Sequence, residues 1–366
     1  MRVALLTSAN GWRGSSASYA KLARGLGERN HTVQLITAVP RVTERFLAEG
    51  LPVTEIPGRN TGPREVWALW RTLRRLDAQA VMVDTPRDVR LAAFATALHR
   101  APIIYRYNLN YRRPRNHQAD RLYLRRLAAC VYQSRYIREE AVTQIPWIAR
   151  LPGYQIPNGY DTDRFAPQPQ AGRAFRARWK IEPETLVVLT SAKLARNKGH
   201  EIAIAALDRV RRTGVDLVYV VCGDGSREAE LRALAAECAL PTRFTGLLGS
   251  SEMVAALTVA DLVVHPSLRE IFPNAVGEAM ACARTVVAAD AGGTAELLGR
   301  DGSTGILVPA EDPAALAAAV LPLLHARERR AAIGEAARHR IETAFPLQRM
   351  IDGYETAFGE LIDPGA

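Results

Sequence analysis

The 366-residue chain has the length of two ordinary domains, and its 48% hydrophobic and 23% charged residues exclude an intrinsically disordered protein. No apolar run approaches the roughly 20 residues that span a bilayer, and Arg2–Thr7 is too short for the core of a signal peptide, so we expect a cytoplasmic protein. The net charge of +10 comes from residues 1–168, which hold 26 Lys and Arg against 13 Asp and Glu and predict an anionic partner, unless the arginines only reflect base composition.

The first half of the chain alternates strand-length apolar runs with helix-length amphipathic segments. The expected strands are Arg2–Thr7, Thr32–Thr37, Val53–Ile56, Ala80–Asp84 and Pro102–Tyr107. The expected helices include Ser18–Glu28, Arg64–Leu76 and Arg87–His99. This order of elements indicates a parallel sheet with helices on both faces.

A segment rich in Pro, Gly and Asn at residues 157–172 has no periodicity and predicts a hinge. The alternation then restarts, with expected strands Leu186–Ser191, Leu217–Cys222, Arg243–Thr245, Leu262–His265 and Thr285–Ala288. The expected helices there are His200–Arg212, Arg227–Glu237, Ser251–Leu257 and Asn274–Ala283. A helical tail follows over Ala314–Glu342, and a last helix lies within 347–366. We expect Rossmann-like domains at 1–165 and 166–346, with the last helix packed back on the first.

Two carboxylates eight positions apart, Glu270 and Glu278, follow the expected strand Leu262–His265. The first lies in a loop and the second within the first turns of a helix. A carboxylate accepts two hydrogen bonds and suits a vicinal diol, and a helix N-terminus presents N–H groups to phosphate. The pair predicts a site for a nucleoside diphosphate joined to a sugar, unless both are only solvated glutamates near a helix start.

The residues around this pair make the motif specific. Asp-Leu-Val-Val-His-Pro-Ser begins at Asp261, Glu-x7-Glu-Ala-Met-Ala-Cys begins at Glu270, and Gly-Ile-Leu-Val-Pro ends at Pro309. The segment resembles the donor-binding domain of family-4 retaining glycosyltransferases, and the resemblance covers nearly the whole chain. It implies the α/β GT-B fold, in which two Rossmann-like doubly wound parallel-sheet domains face a central cleft. It also implies transfer of a sugar from a UDP or GDP donor to a glycan, glycolipid or other anionic acceptor.

By this resemblance Glu270 holds hydroxyls of the donor sugar, Glu278 holds the ribose diol, and two lysines hold the diphosphate. Family members usually carry Arg at the first of these cations, whereas Lys193 is a point charge without a bidentate fork. The implied donor-binding residues are Gly14, Lys193, Lys198, Gly223, Phe244, Glu270, Phe272, Pro273, Asn274, Ala275 and Glu278. Cations from side chains imply an enzyme that needs neither a metal ion nor a cofactor, and the four cysteines are too far apart to suggest a metal site.

The histidine that many family members carry after the fifth strand is absent. Asn108 stands at its position and either bonds a sugar hydroxyl or is only a turn residue at the strand end. His117, in the loop that follows, is the other residue that could replace the histidine. The catalytic candidates are therefore Glu270, Lys198, Lys193 and Asn108. The acceptor-side candidates are Arg106, Arg112, Arg113 and His117. His265, at the end of its strand, is expected to be a core histidine with a satisfied hydrogen bond.

The segment Arg64–Leu76 carries tryptophans and arginines around an apolar stripe. Such a helix fits peripheral contact with a membrane, although packing of the stripe on a sheet is the favoured interpretation. Other functions remain open: a GT-B epimerase, or a nucleotide-sugar-binding protein without transferase activity. A dinucleotide-dependent oxidoreductase lacks its glycine fingerprint, and no recognition motif supports binding of nucleic acid.

Overall fold

The protein is described by a computed structural model over residues 1–8, 11, 14–58, 60–97, 99–108 and 122–363. Two compact units are present, the first comprising Met1–Gly159 with Leu347–Ala366 and the second Tyr160–Pro346. Each unit is built on one parallel β-sheet, so the prediction of two doubly wound α/β domains is confirmed. Within the described ranges, no helix is both long and apolar enough to cross a bilayer.

Over its described residues the first unit has a seven-stranded sheet in the order β3-β2-β1-β4-β5-β6-β7. The strands are β1 (Arg2–Thr7), β2 (Thr32–Thr37), β3 (Val53–Glu55), β4 (Ala80–Val83), β5 (Ile103–Arg106), β6 (Leu127–Tyr132) and β7 (Gly153–Gln155). The helices of this unit are α1 (Gly14–Glu28), α2 (Pro40–Ala48), α3 (Pro63–Leu76), α4 (Pro86–Ala97), α5 (Arg135–Gln144) and α14 (Leu347–Ile362). β1 and β4 lie at the centre, and their continuous apolar runs are buried on both faces.

Helix α14 belongs to the first unit although it comes last in the chain. It places Ile351, Tyr354 and Phe358 in the core of that unit. A Cβ on Gly25 of α1 would lie 2.1 Å from the Ile351 Cδ1 atom, so the glycine lets the two helices approach closely. Arg29 of α1 adds an ion pair to Asp352 at 2.6 Å. An apolar stripe and a small facing residue therefore explain why the chain returns to this unit.

Over its described residues the second unit has a six-stranded sheet in the order β10-β9-β8-β11-β12-β13. The strands are β8 (Leu186–Ser191), β9 (Leu217–Cys222), β10 (Thr242–Gly246), β11 (Leu262–His265), β12 (Val286–Ala289) and β13 (Ile306–Val308). The helices are α6 (Pro169–Trp179), α7 (His200–Arg211), α8 (Glu228–Glu237), α9 (Ser250–Val259), α10 (Asn274–Ala281), α11 (Thr294–Leu298), α12 (Pro313–His325) and α13 (Arg327–Ala344). β8 and β11 lie side by side, and the strand order reverses between them.

The segment 157–172 is not wholly irregular, as the sequence had suggested. Its last residues form the first turn of α6, which begins at Pro169 because proline suits the first helical position. Gly172 serves packing there, since a Cβ on it would lie 3.0 Å from the Thr258 Cγ2 atom. The two units divide at Gly159–Tyr160, before the boundary expected at residue 165.

Candidate functional site

The candidate site lies where β8 and β11 end side by side, at the point where the order of the second sheet reverses. Ligands of doubly wound sheets bind at such a point, beyond the carboxyl ends of the strands. Here the loop after β11 is joined to the turn after β8 through one carbonyl oxygen. Asn197 O accepts a hydrogen bond from Leu268 N at 2.9 Å and another from Ser267 Oγ at 3.1 Å.

Gly199 makes this contact between the two loops possible. Its φ is +65°, and a Cβ there would lie 2.2 Å from the carbonyl oxygen of Pro266. Any other residue would suffer both left-handed backbone strain and a clash with main-chain atoms. Lys198 directly precedes this glycine, so the close approach brings its side chain to the loop after β11.

Glu270 is the centre of the site. Its Oε1 atom accepts hydrogen bonds from Lys198 Nζ at 2.6 Å and from His265 Nε2 at 2.9 Å. Burial alone would raise the pKa of Glu270, but the hydrogen bond from His265 and the charge of Lys198 outweigh burial and lower it to about 2. Glu270 is therefore ionised at neutral pH and acts only as an acceptor. The fold thus joins two catalytic candidates that are 72 positions apart in sequence.

His265 is buried and hydrogen-bonded, as expected of a core histidine, but its partner is the candidate carboxylate itself. An ionised carboxylate accepts and never donates, so His265 Nε2 carries the proton of this bond. No residue pattern indicates this hydrogen bond, because a strand-end histidine has many possible partners.

The second carboxylate, Glu278, is half-buried in the second turn of α10. The ring of Tyr160 packs directly against this helix at Gly277. A Cβ on Gly277 would lie 2.0 Å from the Tyr160 Cζ atom, so the contact requires glycine. The Tyr160 hydroxyl donates to the carbonyl oxygen of Pro273 at 3.4 Å. Burial, followed by the charges of Glu278 and Glu270, raises the pKa of Tyr160 well above its usual value, so this hydroxyl stays protonated. Sequence reasoning missed Tyr160 because its Asn-Gly-Tyr segment indicated only a turn.

Two aromatic candidates place their rings in the core of the second unit. Phe272 is buried and packs edge-on against Phe345, with ring centroids 5.3 Å apart. Phe244 is also buried, and the Arg232 guanidinium lies 4.5 Å from its ring centroid. Next to Phe272, Asn274 and Ala275 form the first turn of α10, where the helix dipole favours an anion.

Lys193 is exposed on the loop that follows β8. The glycine turn after β9 supports this loop, because a Cβ on Gly223 would lie 2.1 Å from the carbonyl oxygen of Ala192. On the other side, the His200 Nε2 atom lies 3.1 Å from Lys193 O. Burial lowers the pKa of His200 to about 4, so this ring is neutral and adds no charge near the lysines.

Two family models match the chain. A family model described as Glycosyltransferase Family 4 matches residues 12–164, and one described as Glycosyl transferases group 1 matches residues 173–340. Together the two matches account for most of both units. The chain belongs to glycosyltransferase family 4.

One curated relative of this family-4 chain is a mannosyltransferase. A GDP-mannose-dependent alpha-(1-6)-phosphatidylinositol monomannoside mannosyltransferase of Mycolicibacterium smegmatis is 33% identical over 217 residues, covering 57% of this chain and 56% of that protein. The chain thus spans about half the length of the curated relatives it matches.

Solved structures resemble the chain over a greater length. A glycosyltransferase from Rickettsia africae has a TM-score of 0.86 at 18% identity and covers 98% of both chains. HepE of Anabaena, in complex with UDP and glucose, has a TM-score of 0.86 at 19% identity and covers 98% of this chain and 100% of that one. At these identities the likeness shows the fold alone, and the expected GT-B fold class is confirmed.

The first-unit candidates of this family-4 chain occupy different environments. Gly14 is the exposed first residue of α1. Asn108 is buried after β5, and its Nδ2 atom donates to the main-chain oxygen of Asp84. Arg106 is buried too, donating from Nε to the Tyr354 hydroxyl at 3.1 Å and from Nη2 to Asn158 Oδ1 at 2.9 Å. The remaining acceptor-side candidates lie outside the described residues: Arg112, Arg113 and His117.

Asp84, at the end of β4, is a buried carboxyl that sequence reasoning did not select. Thr7 Oγ1 donates to its Oδ2 atom at 3.2 Å, whereas its Oδ1 atom has no hydrogen-bond partner among the described residues. Burial and then the charge of Asp88 raise the pKa of Asp84 to about 7, against the opposing charge of Arg106. The sequence feature that could have selected Asp84 is its position at the end of an apolar strand.

Proposed function

We propose that this family-4 chain is a retaining glycosyltransferase that moves a sugar from a UDP- or GDP-sugar to an acceptor. The observation that carries the proposal is the buried, ionised Glu270, held by Lys198 and His265 where the second sheet reverses its order. A carboxylate at such a point accepts hydrogen bonds from sugar hydroxyls while a neighbouring cation meets the adjoining phosphate. In this proposal Glu278, in the second turn of α10, accepts from the ribose diol.

The proposed reaction breaks the bond between the anomeric carbon and the diphosphate oxygen. The acceptor oxygen bonds to the same face of that carbon, and its proton passes to the leaving diphosphate. Lys193 and Lys198 stabilise the charge that develops on this leaving group, in the role a metal ion plays elsewhere. Asn108 of the first unit bonds a sugar hydroxyl in place of the usual histidine.

A glycolipid or surface polysaccharide is the acceptor class that we propose. The Mycolicibacterium smegmatis relative is named for GDP-mannose and a phosphatidylinositol mannoside, which supports a GDP donor and a lipid-linked acceptor. The structure of HepE with UDP and glucose supports a UDP donor instead. Both bases are therefore tested below.

Contact with the cytoplasmic face of a membrane completes the proposal. In α3, Leu69 is fully buried while Trp67 is 55% exposed. The Arg71 guanidinium lies 5.2 Å from the Trp67 ring centroid, and Arg74 lies 5.2 Å from that of Trp70. The leucine face packs on the unit, and the opposite face has the aromatic and basic composition of interfacial helices. The buried Leu69 supports packing of one face on the unit, and the exposed Trp67 supports the proposed membrane contact of the other.

A nucleotide panel followed by a transfer assay tests the proposal. We expect either UDP or GDP, and not ADP or TDP, to raise the melting temperature by several degrees. With sugars of that nucleotide and a lipid-linked acceptor, the product should carry the donor's anomeric configuration in NMR spectra, with EDTA present. An inverted product, or stabilisation by none of the nucleotides, contradicts the proposal.

A nucleotide-sugar-binding protein without transferase activity is the second candidate, favoured by Asn108 standing where the family has histidine. Such a protein would be stabilised by the donor but would release no nucleoside diphosphate with any acceptor. An epimerase would instead convert the donor without an acceptor. Product analysis separates all three functions.

A further inference from the structure

Glu270 receives two hydrogen bonds on the same oxygen. Both Lys198 Nζ and His265 Nε2 reach Oε1, and within the described part of the chain no donor reaches Oε2. A carboxylate held through one oxygen presents the other in a fixed direction. Under the proposed function, that second oxygen is the acceptor for the sugar hydroxyls.

The two donors differ in how firmly they are held. His265 ends β11, where it pairs in register with Ala288 of β12, and its side chain is only 5% exposed. Lys198 ends a short 3-10 turn, Arg196–Lys198, and its longer side chain is 22% exposed. A four-carbon side chain with three equivalent protons reorients readily, whereas a buried ring on a central strand does not.

The proposed function makes conflicting demands on Lys198. The same ammonium group is to neutralise the donor diphosphate, and yet it lies 2.6 Å from Glu270 Oε1 here. When a diphosphate with its two charges enters, it competes with the single carboxylate for this lysine. Any weakening of the Lys198 bond leaves His265 as the donor that still orients Glu270.

We propose that His265 is a positioning residue, which keeps Glu270 oriented toward the sugar while the donor diphosphate draws Lys198 away. The inference rests on the proposed function and assigns His265 no contact with the substrate. It predicts that His265 matters for recognition of the sugar and for transfer, and not for binding of the nucleoside diphosphate.

Charged and titratable groups approach this pair from several elements. Glu270 faces His265 on β11 and Lys198 on the 3-10 turn. Its negative charge also helps to raise the pKa of Tyr160. Electrostatic interaction with His265 helps to lower the pKa of His200 on α7. Removing the His265 donor takes away a bond that lowers the pKa of Glu270, so that pKa must rise. The acid limb of the transfer rate should then move to higher pH.

The test compares His265→Leu and His265→Gln with the wild-type full chain, using the nucleotide selected by the stability panel. We expect His265→Leu to lower kcat by about 10- to 100-fold, the usual effect of losing a hydrogen bond to a charged group. It should weaken binding of the nucleotide-sugar relative to the free nucleoside diphosphate. His265→Gln, whose amide nitrogen can reach Oε1, should recover most of both losses.

Controls separate positioning from folding. His99→Leu removes a histidine that bonds the main-chain oxygen of Ala78 in the first unit, and it should leave kcat and the pH profile unchanged. If His265→Leu does not fold, His265→Asn takes its place, because its shorter amide stops short of Oε1. His265→Asn should then show the lower kcat and the weaker binding of the nucleotide-sugar, and His265→Gln should recover most of both.

Two outcomes overturn the inference. One is a folded His265→Leu with wild-type kcat and an unshifted acid limb, and the other is an equal loss of affinity for nucleotide-sugar and nucleoside diphosphate. If the wild type forms no product, the proposed function fails, but the ratio of the two affinities still decides the role of His265. This ratio is the affinity for the nucleotide-sugar divided by the affinity for the free nucleoside diphosphate. A ratio that His265→Leu leaves unchanged contradicts the role, and a ratio that it lowers supports the role.

Discussion

At the scale of single residues, the site depends on how the fold sets the charge of buried carboxyls. Asp84 directly follows β4 and Glu270 lies in the loop after β11, and both are buried, yet their pKa values move in opposite directions. Glu270 has two donors on one oxygen, which outweigh its burial. Asp84 has a hydroxyl donor and a neighbouring carboxyl, Asp88, so burial prevails. The fold therefore keeps the carboxyl of Glu270 ionised at neutral pH, whereas the pKa of the Asp84 carboxyl lies at about 7.

The raised pKa of Asp84 predicts the pH dependence of stability. A carboxyl with a pKa of about 7 when folded and about 4 when unfolded holds a proton on folding, so stability falls as pH rises between these values. Asp84→Asn removes this term, worth roughly 2 to 4 kcal/mol at most. We expect the melting temperature of Asp84→Asn, measured by calorimetry, to rise relative to that of the wild type between pH 5 and pH 8. The exposed variant Asp363→Asn should show no such trend, and parallel pH curves for Asp84→Asn would refute the argument.

The sequence predicts the site residues that a local spacing relates, but not the contacts that the fold makes between distant segments. Glu270 and Glu278 stand out because eight positions and a helix start separate them. The ion pair of Glu270 with Lys198, 72 positions away, requires knowing that β8 and β11 are neighbours. The contribution of His265 depends on the direction of one side chain, which no pattern of residue types specifies.

At the scale of elements, continuous apolar runs predicted the central strands well. β1, β2, β8, β9 and β11 have the bounds that the sequence indicated. Little burial explains two of the missed elements, since β7 has three residues at a sheet edge and α2 buries only Val42 and Phe46. It does not explain β6, which was missed although five of its six residues are buried. The start of α6 was interpreted as a hinge, because its Pro and Gly serve as a helix start and a packing contact.

The turn that carries Lys198 provides a test at this scale. Gly199→Ala combines a left-handed φ with a Cβ that would lie 2.2 Å from Pro266 O, so we expect a loss of about 3 kcal/mol or more in the free energy of unfolding. Denaturant unfolding measures this loss, and transfer activity should fall as Lys198 is displaced.

A matched control isolates the contact from the backbone strain. Gly302 of the same unit has a similar φ of +76°, but a Cβ there would meet Ile306 Cδ1 only at 3.7 Å. Gly302→Ala should therefore cost only about 1 to 2 kcal/mol, the usual penalty of the left-handed region. Equal losses for the two variants would show that the approach to Pro266 contributes nothing.

At the scale of the whole molecule, the excess of positive charge lies in residues 1–168. One of these cations, Arg71, is exposed on α3 beside the exposed ring of Trp67. The composition predicted an anionic partner but could not locate it, because composition does not tell an exposed arginine from a buried one such as Arg106. Which cations face outward follows from packing and not from their number.

Vesicle binding tests this surface. We expect the protein to sediment with vesicles containing phosphatidylinositol but not with pure phosphatidylcholine, and less so at high salt. Trp67→Ala should lower the bound fraction several-fold, because it removes the apolar part of the contact. Leu247→Ala removes an apolar side chain that is 64% exposed in the second unit and should change nothing. Equal binding to both vesicle types would contradict membrane contact through α3.

The central claim is that the carboxylates of the second unit hold the alcohols of a sugar nucleotide. Calorimetric titration of the selected nucleotide-sugar into Glu278→Ala tests it most directly, with Glu237→Ala as an exposed control on α8. We predict a loss of affinity of about 10- to 100-fold for Glu278→Ala and none for the control, since a carboxylate that accepts from a diol is removed. Wild-type affinity in Glu278→Ala would contradict the claim.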